Sequence, residues 1–298
     1  MKRALTTLIL LLFAPSAAAL GSQAGWVATG SFFAPGTGQF INQQPGKGAA
    51  HLSTFLGSIA ASAYYQNHED FIEFDDRYDE DNEIIYTTRV NEHADLASRV
   101  MLASMFYSSY DAYIERRRLL GNRNYNTPAH AESLQSLTLA PFNREYLTRW
   151  TTLAPLAIAA STLLIGPDDG WVTSFEDGMS RGEAAAYVFP QHGAVAIGEE
   201  AFFRGMLNNS FSHQWGERWG LAASSVAFGL AHTGEGVSAN AAVATAAGFY
   251  LGWVHQRNDY QLGESVAIHF WWNVMVSLAT LRYGPEDRTA QVSVAIPF

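Results

Sequence analysis

Two adjacent glutamates, Glu199 and Glu200, lie in a stretch that is otherwise mostly apolar, AIGEEAFFRG over residues 196–205. A buried charge is costly unless it is paired or hydrogen-bonded. On an α-helix Glu200 and Arg204 are four residues apart and share a face, so they can form an ion pair. Glu199 would lie about 100° round the helix from Glu200 and point elsewhere. Because Arg204 cannot neutralise both carboxylates, the pattern predicts a partner for Glu199 on a distant segment.

Two later apolar segments carry polar residues that can supply this partner. His232 follows Phe228 by four residues in SSVAFGLAHTG, and Asn273 follows His269 by four in ESVAIHFWWNV. Each pair therefore shares one face of a helix. With a rise of about 1.5 Å per residue, the expected depths of these polar groups and of Glu199 fall within about 10 Å of one another. The three segments predict one convergent polar site.

Five apolar blocks in the second half of the chain indicate a helix bundle. They run approximately over residues 147–165, 182–206, 219–233, 238–255 and 264–281. Clusters of Gly, Pro or charged residues separate them, as expected of turns. Several blocks are shorter than the roughly 20 residues of a full membrane span. Short blocks are tolerated where a helix faces protein or a water-filled cavity. The predicted fold class is all-α, a polytopic membrane helix bundle.

The predicted domain organisation follows from changes in composition along the chain. The N-terminal module, of unknown function, contains an interfacial or re-entrant hairpin at 31–65, an acidic solvated loop at 68–83 and a helix at 96–113. Polar residues 119–146 form the best candidate boundary between modules. The predicted divisions are a signal peptide over 1–19, the N-terminal module over 20–125, a second domain over 147–282 and a tail over 283–298.

The N-terminus and the loop charges predict a location in a bacterial cell envelope. MKRALTTLILLLFAPSAAALGS has a basic start, an apolar run and small residues, which is typical of a secretory signal peptide. An uncleaved anchor is the alternative interpretation. Arginines concentrate in loops 114–146, 207–218 and 256–263, and the positive-inside rule places these loops in the cytoplasm. This pattern predicts the inner membrane, with lipid as a partner and a site that opens towards the cytoplasmic half of the bilayer.

Composition excludes several classes of function. The chain has 28 acidic and 18 basic residues and a formal charge of −10, which argues against nucleic-acid binding. It has no cysteine, so disulfides and thiolate chemistry are excluded. Residues 178–182 match G-x-S-x-G, the nucleophile-elbow motif of serine hydrolases. They follow SFED, which is not the buried strand that such an elbow requires, and this argues against a serine hydrolase. The zinc-protease motif H-E-x-x-H is absent.

The helical motifs resemble the CPBP family of intramembrane proteases, which includes the CAAX prenyl protease 2 and Abi-type proteins. The resemblance covers about residues 182–281. It depends on Glu199 and Glu200, on the Phe-Arg-Gly of 203–205, on the F-x-x-x-H ending at His232 and on the H-x-x-x-N beginning at His269. It implies an endopeptidase that hydrolyses a peptide or membrane-protein substrate.

The resemblance also implies a role for each motif residue. Glu199 would activate the attacking water, and Glu200 with Arg204 would form the electrostatic pair beside it. His232 and His269 would hold the water or, if zinc is bound, a zinc ion together with Glu199. Asn273, the sixth motif residue, would donate to the oxyanion. General-base and oxyanion chemistry require side chains of these types.

Alternative interpretations remain at this level. Glu200 and Arg204 can form a purely structural ion pair, since such pairs also occur without catalysis. His192 lies seven residues before Glu199 on the same helical face and is a further candidate, although Pro190 interrupts the pattern. For the whole protein, the alternative is a non-catalytic membrane scaffold or a bacteriocin-immunity-type binding protein on the same bundle.

Overall fold

The structure is a computed structural model, and it describes most of the chain. The described residues are 22–66, 72–75, 87–121, 128, 130–164, 172–175, 181–233 and 239–283. The predicted signal peptide and nearly all of the predicted C-terminal tail lie outside these residues.

The first part of the described chain forms four helices and two short strands. These are α1 (Gln23–Phe33), α2 (Thr37–Ile41), α3 (Pro45–Tyr65), β1 (Ile72–Asp75), β2 (Thr87–Val90) and α4 (Glu92–Leu119). Helix α4 begins where the Asn91 side chain accepts a hydrogen bond from the Ala94 amide. Glu92 and Asp95 occupy its first turn and Arg116–Arg118 its last. Both arrangements favour the helix, because they complement the partial charges at its ends.

The predicted hairpin over 31–65 is helical and packs against α4. Its turn uses Gly36, whose φ is +96° and where a Cβ atom would lie 2.2 Å from the Gly48 carbonyl oxygen. Only glycine fits such a position. The buried Gln39 side chain donates to Asp111 Oδ2 at 2.9 Å and attaches the turn to α4. Residues 35–39, PGTGQ, therefore have a structural role in this hairpin.

The second part of the chain forms the remaining helices and one strand. These are α5 (Leu134–Leu139), a 3₁₀ turn (Ala140–Phe142), α6 (Arg144–Leu147), α7 (Trp150–Leu164), β3 (Val172–Phe175), α8 (Arg181–Glu199), a π-helix (Glu200–Asn208), α9 (Asn209–Trp215), α10 (Glu217–Ala231), α11 (Ala239–Arg257) and α12 (Gly263–Tyr283). Each of the five predicted apolar blocks is helical. The second block is longer than predicted, because α8 continues through Pro190 into the π-helix and α9.

The described helices agree with the predicted all-α bundle, and a small sheet is an addition to it. Strand β1 pairs antiparallel with β2, with Ile72 opposite Val90, and with β3, with Ile72 opposite Phe175. The strand order is β2–β1–β3. Part of the acidic segment 68–83, which we predicted to be a solvated loop, is therefore a strand. Four-residue strands are stabilised by pairing between distant segments, and so they leave little periodic signal in the sequence.

Aromatic side chains form the core between α4, the π-helix and α10. Phe106 stacks on Phe202 with ring centroids 4.7 Å apart. Phe203 packs edge-on against Phe228 at 5.1 Å. Tyr110 of α4 is also fully buried in this cluster. The N-terminal module thus packs directly on the segment that carries the two glutamates.

Within the described part of the chain, none of the helices combines the length and the apolar character required of a membrane span. The membrane character of the bundle stays a prediction from the sequence.

Candidate active site

The two glutamates lie at the junction of an α-helix and a π-helix. Glu199 is the last residue of α8, and Glu200 begins the π-helix, in which all nine residues are buried. A π-helix closes i→i+5 hydrogen bonds, has a wider turn than an α-helix and often occurs at functional sites. We predicted α-helical geometry here, with Glu199 pointing away from Glu200. The structure corrects this, because both carboxylates contact the same histidine.

That histidine is His269 of α12. Its Nδ1 atom lies 2.8 Å from Glu200 Oε1, and its Nε2 atom lies 3.7 Å from Glu199 Oε2. All three side chains are buried. His269 is therefore the distant partner that the sequence required for Glu199, and it also binds Glu200.

Glu200 forms the predicted ion pair with Arg204. Glu200 Oε1 lies 3.0 Å from Arg204 Nη1, and both side chains are almost completely buried. The guanidinium also lies 4.1 Å above the Phe228 ring, within the range of a cation–π interaction. Glu200 thus has two partners, Arg204 and His269, whereas no Lys or Arg side chain in the described part of the chain is paired with Glu199.

His232 packs against the Phe228 ring. Its Nδ1 atom lies 2.6 Å from the Phe228 carbonyl oxygen, four residues earlier. The two rings are 4.4 Å apart. With Nδ1–H donating to this carbonyl, the neutral imidazole has its lone pair on Nε2. That Nε2 atom is buried and has no hydrogen-bond partner among the described residues.

Other buried polar atoms of the predicted site also have no hydrogen-bond partner in the described part of the chain. The acceptors among them are Glu199 Oε2, Glu200 Oε2 and Asn273 Oδ1, and the donors are Nη1 and Nη2 of Arg204. Buried polar groups in folded proteins are normally hydrogen-bonded, and those that are not require a functional or solvent explanation. Unpaired acceptors on the motif side chains are consistent with a site for water and substrate.

A cavity of about 390 Å³ adjoins these residues. His269 and Asn273 line it together with Phe228, and the remaining wall is largely apolar. The apolar lining comes mainly from α7, α11 and α12: Trp150, Ala154, Pro155, Ile158, Val243, Ala246, Ala247, Leu251 and Ile268. Most ligand pockets combine such an apolar wall with a few polar groups.

Comparison with known families gives the same assignment as the motifs. Residues 183–275 match the Rce1-like family model, which is described as type II CAAX prenyl endopeptidase Rce1-like. This segment is similar to the Rce1-like family. The match covers less than a third of the chain and contains all six predicted site residues. It confirms the resemblance predicted over 182–281 and supports a CAAX-type endopeptidase at the level of the family. No curated protein and no solved structure matches the chain.

Within the Rce1-like segment the structure adds polar residues that the sequence analysis did not single out. Ser265 of α12 interacts with Glu200. Ser277 of the same helix lies 2.6 Å from His192 Nε2, so the candidate His192 is bound to Ser277. Ser265, His269, Asn273 and Ser277 are spaced by four residues. This spacing is a signal that could have identified both serines.

Glu132 contacts the start of α12 from outside the Rce1-like segment. Its Oε2 atom accepts a hydrogen bond from the Leu262 amide. Burial raises the pKa of Glu132, and hydrogen bonds from the amides of Leu262 and Gly263 oppose this rise. No local motif indicates this contact, because Glu132 lies in a polar connection 130 residues before Leu262.

Proposed function

We propose that the chain is an intramembrane endopeptidase in which Glu199 activates the water that hydrolyses a peptide bond. The observation that carries this proposal is the position of Glu199 Oε2. It is buried without a hydrogen-bond partner in the described chain and lies 3.7 Å from His269 Nε2. A carboxylate in this setting can accept a proton from a water that is also bound to a neighbouring imidazole.

Glu200 and Arg204 orient the imidazole in this account. When His269 donates its Nδ1–H to Glu200, the neutral ring presents the Nε2 lone pair towards Glu199. A carboxylate that fixes the tautomer of a histidine in this way is a common supporting interaction. Arg204 keeps Glu200 charged and therefore able to accept that hydrogen bond.

The hydrolysis then proceeds through a tetrahedral intermediate. Glu199 takes a proton from water as the oxygen bonds to the carbonyl carbon of the scissile peptide. The amide group of Asn273, on the wall of the cavity, donates to the resulting oxyanion. When the C–N bond breaks, Glu199 returns the proton to the leaving amine. The second proton of the water is donated to the Nε2 atom of one imidazole, that of His269 or that of His232, whose Nε2 has no partner among the described residues.

A zinc ion is the metal that the resemblance allows at this site. Across the described residues, no group of three or more His, Cys, Asp or Glu side chains is placed so that it could hold a metal ion. The steps above therefore involve no metal, and zinc on Glu199, His232 and His269 stays a prediction that elemental analysis of the purified protein tests.

The cavity indicates the chemical character of the substrate. Its largely apolar wall suits apolar side chains of a peptide or of a membrane-protein segment, with the scissile bond placed against His269 and Asn273. Exposed apolar residues on α7, such as Leu153 and Ile158, fit contact with lipid near the cavity. We therefore propose that the protein acts in the inner membrane of a bacterial cell.

The experiment that tests this function uses the full chain in lipid vesicles and a library of apolar peptides, with products identified by mass spectrometry. We expect cleavage by the wild-type protein and none by Glu199→Gln. The matched control is Glu145→Gln, because Glu145 has a largely exposed side chain and does not line the cavity. If the wild-type protein binds peptides and cleaves none, the binding-protein alternative replaces the protease.

A further inference from the structure

Helix α4 lies against the glutamate-bearing helix at two glycines. A Cβ atom on Gly205 would lie 2.5 Å from the Tyr110 ring, and one on Gly198 would lie 2.7 Å from Ala103 Cα. These distances are shorter than side-chain contacts allow, so both glycines are required for the close approach. The position of the π-helix is thereby set by α4, a helix outside the Rce1-like segment.

The same tyrosine holds the segment that contains Glu132. Tyr110 Oη accepts a hydrogen bond from the Glu132 amide at 3.1 Å. Tyr107, three residues earlier on α4, donates its hydroxyl to the Glu132 carbonyl oxygen at 2.8 Å. The backbone of Glu132 is therefore attached to α4 at both its amide and its carbonyl group.

The side chain of Glu132 holds the start of α12. It accepts hydrogen bonds from the backbone amides of Leu262 and Gly263, which lie at the N-terminus of that helix. Such amides lack partners within the helix, and a carboxylate there also complements the helix dipole. His269 follows on α12 less than two turns after Gly263.

These contacts form one continuous connection between the two halves of the site. Tyr110 touches the π-helix that carries Glu200, and through Glu132 it is joined to the helix that carries His269. We propose that Tyr110 and Glu132 are positioning residues that set the distance between Glu200 and His269. This inference rests on the proposed protease function for its catalytic consequence, although the geometric claim can be measured without it.

Another polar cluster at the same turn does not provide this connection. Arg149 pairs with Glu264 in the first turn of α12, and Asn258 and Thr151 also bind Glu264. These contacts attach α12 to the segment before α7 and to the end of α11. None of them involves the π-helix, so they do not relate Glu200 to His269.

The kinetic test compares variants of the full chain in vesicles on a cleaved library peptide. We expect Glu132→Ala to lower kcat about 10- to 100-fold, because small displacements of catalytic groups have effects of this size. KM should change less than about twofold, because Glu132 does not line the cavity. Glu132→Gln should recover most of the activity, since an amide oxygen can still accept the two backbone hydrogen bonds.

Two controls separate positioning from general destabilisation. Ser133 directly follows Glu132, and its side chain accepts a hydrogen bond from the Ser136 amide at the start of α5. Ser133→Ala removes this hydrogen bond and leaves the hydrogen bond between Glu132 and α12 in place. Tyr110→Phe keeps the ring against Gly205 and removes only the hydroxyl group. Its control is Tyr113→Phe, which removes the hydroxyl group of another buried tyrosine on the same helix. We expect Tyr110→Phe to lower kcat and both controls to retain it. If Glu132→Ala does not fold, Tyr110→Phe decides the result.

A second readout does not depend on proteolysis. In protein labelled with ¹⁵N-histidine, the hydrogen-bonded Nδ1–H of His269 should give a downfield proton resonance that is identified by its loss in His269→Gln. We expect this resonance to shift or broaden in Glu132→Ala and Tyr110→Phe and to persist in Glu132→Gln. An unchanged resonance overturns the positioning role even if the protein is a protease. A changed resonance supports the role even if the wild-type protein cleaves nothing, in which case only the proposed function fails.

Discussion

The Nδ1 atom of His269 lies 2.8 Å from Glu200 Oε1, although 69 residues separate the two along the chain. This contact determines the orientation of the imidazole and places Nε2 at 3.7 Å from Glu199 Oε2. The three groups belong to two helices, so their geometry depends on how the π-helix and α12 pack. Stability and chemistry are therefore coupled at this site, and the following predictions separate them.

Arg204→Ala should destabilise the fold strongly. The substitution leaves the buried Glu200 carboxylate without its cation, and we expect the free energy of unfolding to fall by about 3–5 kcal/mol. Arg257→Ala is the control, because Arg257 lies over the Trp253 ring at 5.1 Å at an exposed position. It should lose less than about 1 kcal/mol. Denaturant unfolding in detergent measures both, and equal losses would show that Glu200 is solvated.

Gly205→Ala should also destabilise the protein, for a steric reason. The added methyl group would lie 2.5 Å from the Tyr110 ring, and overpacking of this kind lowers stability by about 1–3 kcal/mol. Gly57 of α3 is the matched control, since a Cβ atom there has no neighbour within 4 Å. Gly57→Ala should raise stability by about 0.5–1 kcal/mol, because alanine favours a helix interior. A thermal shift of the same sign in both variants would contradict the packing described here.

Much of the fold could be predicted because it depends on local periodicity. The five apolar blocks correspond to α7, α8 with the π-helix, α10, α11 and α12, with ends that differ by a few residues. The pair of Glu200 and Arg204 was also predictable, because a spacing of four residues brings side chains together on a helix.

The remaining features depend on contacts that have no local signature. The π-helix is one, and Glu199 and Glu200 at its start both contact His269. The small sheet is another, since its strands pair across distant parts of the chain. Glu132 has no motif at all, because its partner amides belong to α12.

The predicted topology can be tested with single cysteines, since the natural chain has none. Ser212 lies in a predicted cytoplasmic loop but is buried, so it is unsuitable for labelling. Gln214, in the same segment, is exposed, and Gln66 at the end of α3 is exposed and precedes the acidic segment. In intact cells an impermeant maleimide should label Gln66→Cys and should label Gln214→Cys only after permeabilisation. The reverse pattern would invert the predicted orientation.

The most direct test of the central claim is the turnover of Glu199→Gln in purified, folded protein. The substitution removes the proposed base and keeps nearly the same shape, and among the described residues no Lys or Arg side chain would lose its partner. We expect kcat to fall by about 10²–10⁴-fold, the usual contribution of a general base, while thermal unfolding stays at or above the wild-type temperature. A Glu199→Gln protein that cleaves the same peptides at the wild-type rate would contradict the role of Glu199 as the base.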